Sequence, residues 1–196
     1  ARSGVRRHTR GKPHPVDGVA AQGRRTTGGV SLAGHGPDAF LHDRPSDRVL
    51  TFNGKSKDIT LTDARKRLAV ATIALDGKPE FAVSDDKGRV FVNNEDKGEI
   101  VVLDPKQAKI VNTWSLGECE EPTGLALDKK HRRLFSVCQN GVMVVLDADT
   151  GRSVARLPIG AGPDGVAFDP SLGLAYSANG EDGTVTVVHE DDPTHF

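Results

Sequence analysis

Two cysteines and a set of acidic and amide side chains are the residues whose chemistry could build a site. Cys119 and Cys138 are the only cysteines in the chain. They leave three alternatives open: a disulfide bond, two buried thiols, or a metal or redox role. With no Cys or His pair beside them, their spacing is a weak signature of metal binding.

Oxygen-bearing side chains recur along the chain and form the candidate ligand set. Its members are Glu80, Asn93, Glu121, Asp164, Asn179, Glu181 and Asp182. Carboxylate and amide oxygens suit Ca²⁺, the one cofactor we consider for this set. A cationic small molecule or a basic peptide would suit the same charges, whereas the alternative interpretation is turn chemistry with solvated charge. No EF-hand spacing is present.

Two further patterns carry less information about chemistry. Gly160–Gly165 spells a dinucleotide-binding fingerprint, but Pro163 follows the second glycine and a strand, not a helix, is expected next. The run from His189 to Asp192 could bind a metal, although it is more typical of a solvated loop. No nucleophile motif such as Gly-x-Ser-x-Gly occurs. The sequence therefore shows no catalytic signature.

The elements that must position these residues form a repeat of about 42 residues. A proline opens each unit, at Pro37, Pro79, Pro122 and Pro163. Short alternating strands and Asn- or Gly-rich hairpins follow each proline. Four short strands per repeat of this length are typical of a β-propeller blade. We therefore predict an all-β partial propeller of about four consecutive four-stranded antiparallel blades, at about residues 37–76, 77–117, 118–160 and 161–196.

Blade topology brings the candidate ligands to one face. The start of the innermost strand and the second hairpin of each blade lie at the same end of the sheet, so the acidic residues should share a loop face. Cys119 precedes the first strand of the third blade and Cys138 ends its second strand. Antiparallel pairing places these ends on the same side, within reach of a disulfide if the Cα atoms are less than about 7 Å apart.

Charge is divided unevenly along the chain. Residues 1–30 carry seven Lys or Arg and one acid, whereas residues 31–196 carry 19 basic and 26 acidic side chains. An acidic body disfavours nucleic acid. Residues 1–30 fit a disordered leader, an out-of-frame translation of a GC-rich gene, or a basic arm. The sequence contains no run of 18 apolar residues, so it predicts no transmembrane segment.

The fourth unit lacks a last strand, and only residues 30–32 could supply one from a preceding blade. Because propellers usually close with four to eight blades, we expect a fragment whose partners include the missing blades of a longer chain. A four-bladed ring closed by residues 30–32 is the alternative.

The blocks at residues 77–83, 120–126 and 179–185 resemble bacterial YVTN-type repeat propellers, over roughly residues 31–192. This resemblance implies a seven-bladed parent, export to the periplasm or secretion, and a binding or surface role. No signal peptide is apparent in the chain.

Three functional hypotheses follow. The leading one is a non-catalytic binding or scaffold propeller that uses the acidic loop face for an unknown protein or small-molecule ligand. A metal-dependent hydrolase resembling propeller lactonases is the first alternative, with Glu80, Asn93, Asn179 and Asp182 as ligands by chemistry alone. A subunit resembling quinoprotein dehydrogenases is the second.

Overall fold

Four antiparallel sheets, arranged as successive blades, make up the computed structural model, which describes residues 28–196. The leader predicted over residues 1–30 falls almost entirely outside this part of the chain. None of the described residues belongs to a helix with the length and apolarity that crossing a membrane requires.

Each sheet is a meander in which consecutive strands pair. The first blade comprises β1 (Pro37–Asp43), β2 (Arg48–Asn53), β3 (Asp58–Asp63) and β4 (Leu68–Ala74); the second β5 (Pro79–Ser84), β6 (Val90–Asn94), β7 (Glu99–Asp104) and β8 (Lys109–Ser115); the third β9 (Pro122–Asp128), β10 (Arg133–Cys138), β11 (Val142–Asp147) and β12 (Ser153–Pro158); the fourth β13 (Pro163–Asp169), β14 (Leu174–Asn179) and β15 (Thr184–His189). Three complete blades and a three-stranded fourth confirm the predicted fold class. Within the described residues, the one helical element is a single 3-10 turn at Glu95–Lys97.

The hydrophobic core lies between blades. Alternation within β6 sends Val90 and Val92 toward the first blade, where they join Leu50, whereas Phe91 faces the third blade and joins Leu134. The junction of the third and fourth blades is also apolar. There the aromatic rings of Phe135 and Phe168 stack, with their centroids 5.2 Å apart. A blade that packs between two others therefore needs strands with apolar side chains on both faces.

An arginine at or just before the start of three second strands contacts the following blade; Arg133 is buried, and Arg48 and Arg89 are half-buried. Arg48 donates to the Pro105 carbonyl of the next blade, Arg89 pairs with Asp149, and Arg133 donates from Nε to the carbonyl of Pro193 at 2.7 Å. In each case the partner lies after the third strand of the following blade. These contacts fix the angle between blades at one end of the sheets.

The innermost strands β1, β5, β9 and β13 lie side by side, so the loops divide between two faces. One face, called here the acidic face, comprises the ends of the strands and the connections between them at residues 31–38, 53–58, 74–80, 93–99, 115–122, 138–142, 158–164 and 179–184. The acidic face carries thirteen acidic and four basic residues. The remaining turns form the other face, called here the opposite face, which carries thirteen acidic and fourteen basic residues.

Candidate binding face

Polar side chains in the turn between second and third strands hold the preceding interblade loop. Ser56 Oγ accepts the N–H of His35 at 2.8 Å, and an oxygen of Asp96 accepts the N–H of Lys78 at 2.7 Å. In the fourth blade, Asp182 accepts the N–H of Ala161 at 2.6 Å. The predicted ligand Asp182 thus uses one carboxylate oxygen to order its own loop.

A second repeated position lies opposite the proline that opens each blade. Asn53, Asn94 and Asn179 occupy it in three blades, and Cys138 occupies it in the third blade. Each asparagine amide donates to the first residue of the third strand, Asp58, Glu99 or Thr184. Asn179 is almost fully buried and also bonds Ser177 and Thr186, so its amide serves the blade itself.

In the third blade a disulfide takes the place of this amide. Cys119 and Cys138 are bonded, with their Cα atoms 5.3 Å apart, within the separation that the antiparallel strands were expected to allow. The bond ties the loop before β9 to the end of β10. No free cysteine is left in the chain.

Asn93 lies one residue before the repeated position and joins two blades. It is fully buried, and its Nδ2 donates to the carbonyls of Thr123 at 3.1 Å and Gly124 at 3.0 Å. Its Oδ1 accepts from Ser136 Oγ at 3.1 Å. Hairpin composition aligns Asn93 with Asn179, but the strand register aligns Asn94 with it, because Asn94 is the residue that pairs with Pro79.

Lysines form ion pairs with four of the seven acids on the acidic face of the first two blades. Lys78 Nζ lies 2.8 Å from Oε2 of Glu80 and also pairs with Glu95. Burial acts to lower the pKa of Lys78, but the two carboxylates outweigh it and raise that pKa above its usual value. Lys57 pairs in the same way with Asp96 at 2.5 Å. Glu80 is therefore part of an ion-paired cluster.

The acidic face of the third and fourth blades has no such neutralisation. Six exposed acids lie there, called here the acidic patch: Glu118, Glu120, Glu121, Asp164, Glu181 and Asp182. Apart from the Asp182 bond to Ala161, none of their carboxylates forms a hydrogen bond or ion pair with a described residue. The four loop segments that carry or flank the patch, at residues 115–122, 138–142, 158–164 and 179–184, contain no Lys or Arg.

Hydrogen bonds across the blade junction hold the loops of the patch together. Thr123 Oγ1 donates to the carbonyl of Pro163 at 2.8 Å, and Gln139 Nε2 donates to the same carbonyl at 3.2 Å. The segments on either side of this junction therefore present their carboxylates as one surface. Unpaired like charges on one surface create a negative potential that attracts cations.

Glu121 adopts a backbone conformation that favours glycine. Its φ is +45°, whereas Gly36 and Gly162 fill the matching position before the proline in the first and fourth blades with φ of +68° and +63°. Six other described non-glycine residues, among them Lys57 and Arg132, also have a left-handed backbone, so this conformation recurs in the turns of the structure.

The structure thus divides the predicted ligand set. Glu121, Asp164, Glu181 and Asp182 lie in the acidic patch, Glu80 is ion-paired on the second blade, and Asn93 and Asn179 are buried. The predicted set lacks Glu118 and Glu120, although the segment from Glu118 to Glu121 holds three acids and no base.

No known family model matches the sequence. The fold is similar to hydrazine synthase from Kuenenia stuttgartiensis, with a TM-score of 0.75 and 16% identity over 90% of this chain and 65% of that one. It is also similar to the Cps50 (Swd1) β-propeller domain from Myceliophteria thermophila, with a TM-score of 0.64 and 15% identity over 78% of this chain and 53% of that one. The chain is thus a β-propeller by fold and spans about half to two thirds of these neighbours. The resemblance to YVTN-type repeats remains a hypothesis.

Proposed function

We propose that this propeller is a non-catalytic binding module whose acidic patch recognises a positively charged partner segment. The observation that supports the proposal most is the contrast between two parts of one face. Lysines form ion pairs with four of the seven acids on the first two blades, whereas the patch on the third and fourth blades holds six exposed acids with no basic residue in its loops. Complementary charge steers association and selects among partners.

The two enzymatic alternatives gain no specific support. A lactonase-like cation site would need Glu80, Asn93, Asn179 and Asp182 to turn toward one ion, but the two amides are occupied by hydrogen bonds within the protein. Glu80 has Lys78 as a competing cation. For a quinone site no residue set is distinguished.

We further propose that the protein works in an oxidising compartment, the periplasm or outside the cell. The Cys119–Cys138 bond supports this, because disulfides persist mainly in exported proteins. The repeat resemblance named above points to the same location.

Titration of a short fluorescein-labelled peptide of lysine, arginine and glycine, followed by fluorescence anisotropy, tests the binding proposal. We expect saturable binding that weakens as salt is added, because exposed charges are screened. The matched control is a peptide with glutamate at each basic position, which should not bind. Equal binding of both peptides, or no binding of the basic peptide at low salt, would contradict the proposal.

A further inference from the structure

Three metal-ligating side chains converge on the opposite face, at the other end of the strands from the acidic patch. Asp128 ends β9, His131 lies in the turn that follows, and Glu190 comes directly after β15. His131 Nδ1 lies 2.9 Å from Oδ2 of Asp128 and 3.2 Å from Oε1 of Glu190. One ligand atom from each of the three residues lies within 4.8 Å of the other two. The cluster therefore spans the third and fourth blades.

Glu190 is the least expected member of this cluster. Its side chain is 1% exposed, and neither carboxylate oxygen has a hydrogen-bond partner among the described residues. A buried carboxylate without partners is costly. A cation at this point would remove the cost.

The imidazole of His131 does not satisfy the carboxylate of Glu190 through a hydrogen bond of ordinary geometry. Its Nδ1 is buried and close to both carboxylates, yet it satisfies hydrogen-bond geometry with no described residue. The neighbouring guanidinium of Arg133 is committed to Asp147 and to the carbonyl of Pro193. His131 Nδ1 and the carboxylate oxygens of Glu190, all without hydrogen-bond partners among the described residues, thus lie beside the carboxylate of Asp128.

We infer that Asp128, His131 and Glu190 form a site for a divalent transition-metal ion, suited to Zn²⁺, at the junction of the third and fourth blades. An imidazole nitrogen with two carboxylate oxygens suits such an ion better than Ca²⁺ or Mg²⁺, which prefer oxygen ligands alone. Tetrahedral Zn²⁺ ligands lie about 3.4 Å apart. The observed 2.9 Å and 3.2 Å separations need only a small opening to fit.

The ligands are oriented as a metal site requires. Asp128 accepts the backbone N–H groups of Lys130 and His131, each at 2.9 Å, and this fixes its carboxylate. The N–H of Glu190 donates to the carbonyl of Gly173 at 2.8 Å. A bound ion would fasten the end of the fourth blade to the third blade.

The full chain, freed of metal with EDTA, can be titrated with Zn²⁺ in competition with a chromophoric chelator. We expect one Zn²⁺ per chain and a rise in the thermal unfolding midpoint on binding. Glu190→Gln should weaken binding at least about tenfold, since outer-shell changes alone cost that much. The same variant should raise the midpoint of the metal-free protein, because it removes an unpaired buried charge.

His195→Ala is the matched control, because His195 is exposed and lies 2.6 Å from Asp192 on the same face. Its Zn²⁺ affinity should equal that of the unmodified chain. Loss of binding in His195→Ala but not in Glu190→Gln would overturn the inference, as would no Zn²⁺ binding by the unmodified chain. A lower midpoint for metal-free Glu190→Gln would also overturn it, since that result would indicate a stabilising ion pair between His131 and Glu190.

Discussion

Cys138 lies opposite Pro122 at the register position where the other three blades place an asparagine. An asparagine there needs acceptors on the third strand, which Asp58, Glu99 and Thr184 provide in the other blades. The third blade has Val142 at that point and could not satisfy the amide. The disulfide to Cys119 is therefore a covalent replacement for a polar link of the repeat.

Removal of this disulfide should destabilise the chain. We expect Cys119→Ala/Cys138→Ala to lower the free energy of unfolding by about 3 kcal/mol, because the unfolded chain regains loop freedom. Urea unfolding monitored by circular dichroism measures the change. Cys119→Ala/Cys138→Asn should be no more stable than the double alanine variant; a full rescue by asparagine would contradict the proposed reason for the cysteine.

Asn93 should act on stability and not on ligand binding. Asn93→Ala removes three buried interblade hydrogen bonds and leaves Ser136 and two carbonyls unsatisfied. We expect a loss of about 3 kcal/mol in the free energy of unfolding. Affinity for the basic peptide should be unchanged in the folded fraction. A large affinity loss with unchanged stability would restore Asn93 to the ligand set.

Asp85 should make stability depend on acidic pH. Burial acts to raise the pKa of this carboxyl, but the N–H groups of Arg89 and Lys87 and the Arg132 guanidinium hold it below its ordinary value. A lowered pKa stabilises the fold fully above about pH 4, the unfolded value, and this contribution is lost as the pH falls through the folded value.

Unfolding in urea at pH 7 and at pH 3 checks this dependence. The unmodified chain should lose stability at the lower pH, and Asp85→Asn should lose less. At pH 7 the variant should be about 2 kcal/mol less stable, the usual range for hydrogen bonds to a charged group. An Asp85→Asn variant with an unaltered pH profile would show that other groups dominate.

Glu121→Gly should separate stability from binding. Glycine tolerates the left-handed backbone, so the variant should be between equally stable and about 1 kcal/mol more stable. It should bind the basic peptide more weakly, because a patch carboxylate is lost. Glu120→Gly serves as the control, since Glu120 is not in that backbone region, and it should gain no stability. A destabilised Glu121→Gly would mean that the side chain supports the fold.

The regular parts of the structure could be predicted from the sequence, because strand alternation and proline spacing are local signals. The blade order and the absence of a fourth strand after β15 followed from the repeat. Register was harder to predict: two asparagines are adjacent in the second blade, and the strand pairing makes Asn94, not Asn93, the partner of the repeat proline. A one-residue slip changes the face on which a side chain lies.

Contacts between distant segments could not be predicted in this way. Nothing local places Glu190 beside His131, because their proximity depends on the angle between two blades. The sequence shows that the run from His189 to Asp192 is polar, but only packing shows that Glu190 alone turns inward while its neighbours are more exposed. Likewise, the sequence does not show that Lys78 pairs with Glu80. This contact distinguishes the ion-paired acids of the second blade from the unpaired acids of the acidic patch.

Peptide affinity in two triple variants tests the central claim most directly. Glu118→Gln/Glu120→Gln/Glu181→Gln removes three charges from the acidic patch, and Asp47→Asn/Asp86→Asn/Asp191→Asn removes three from the opposite face. We predict that the patch variant binds the basic peptide about tenfold more weakly at low salt, or about 1.4 kcal/mol, whereas the control variant stays within about twofold of the unmodified chain. Equal losses in both variants would show that binding follows net charge and not the patch.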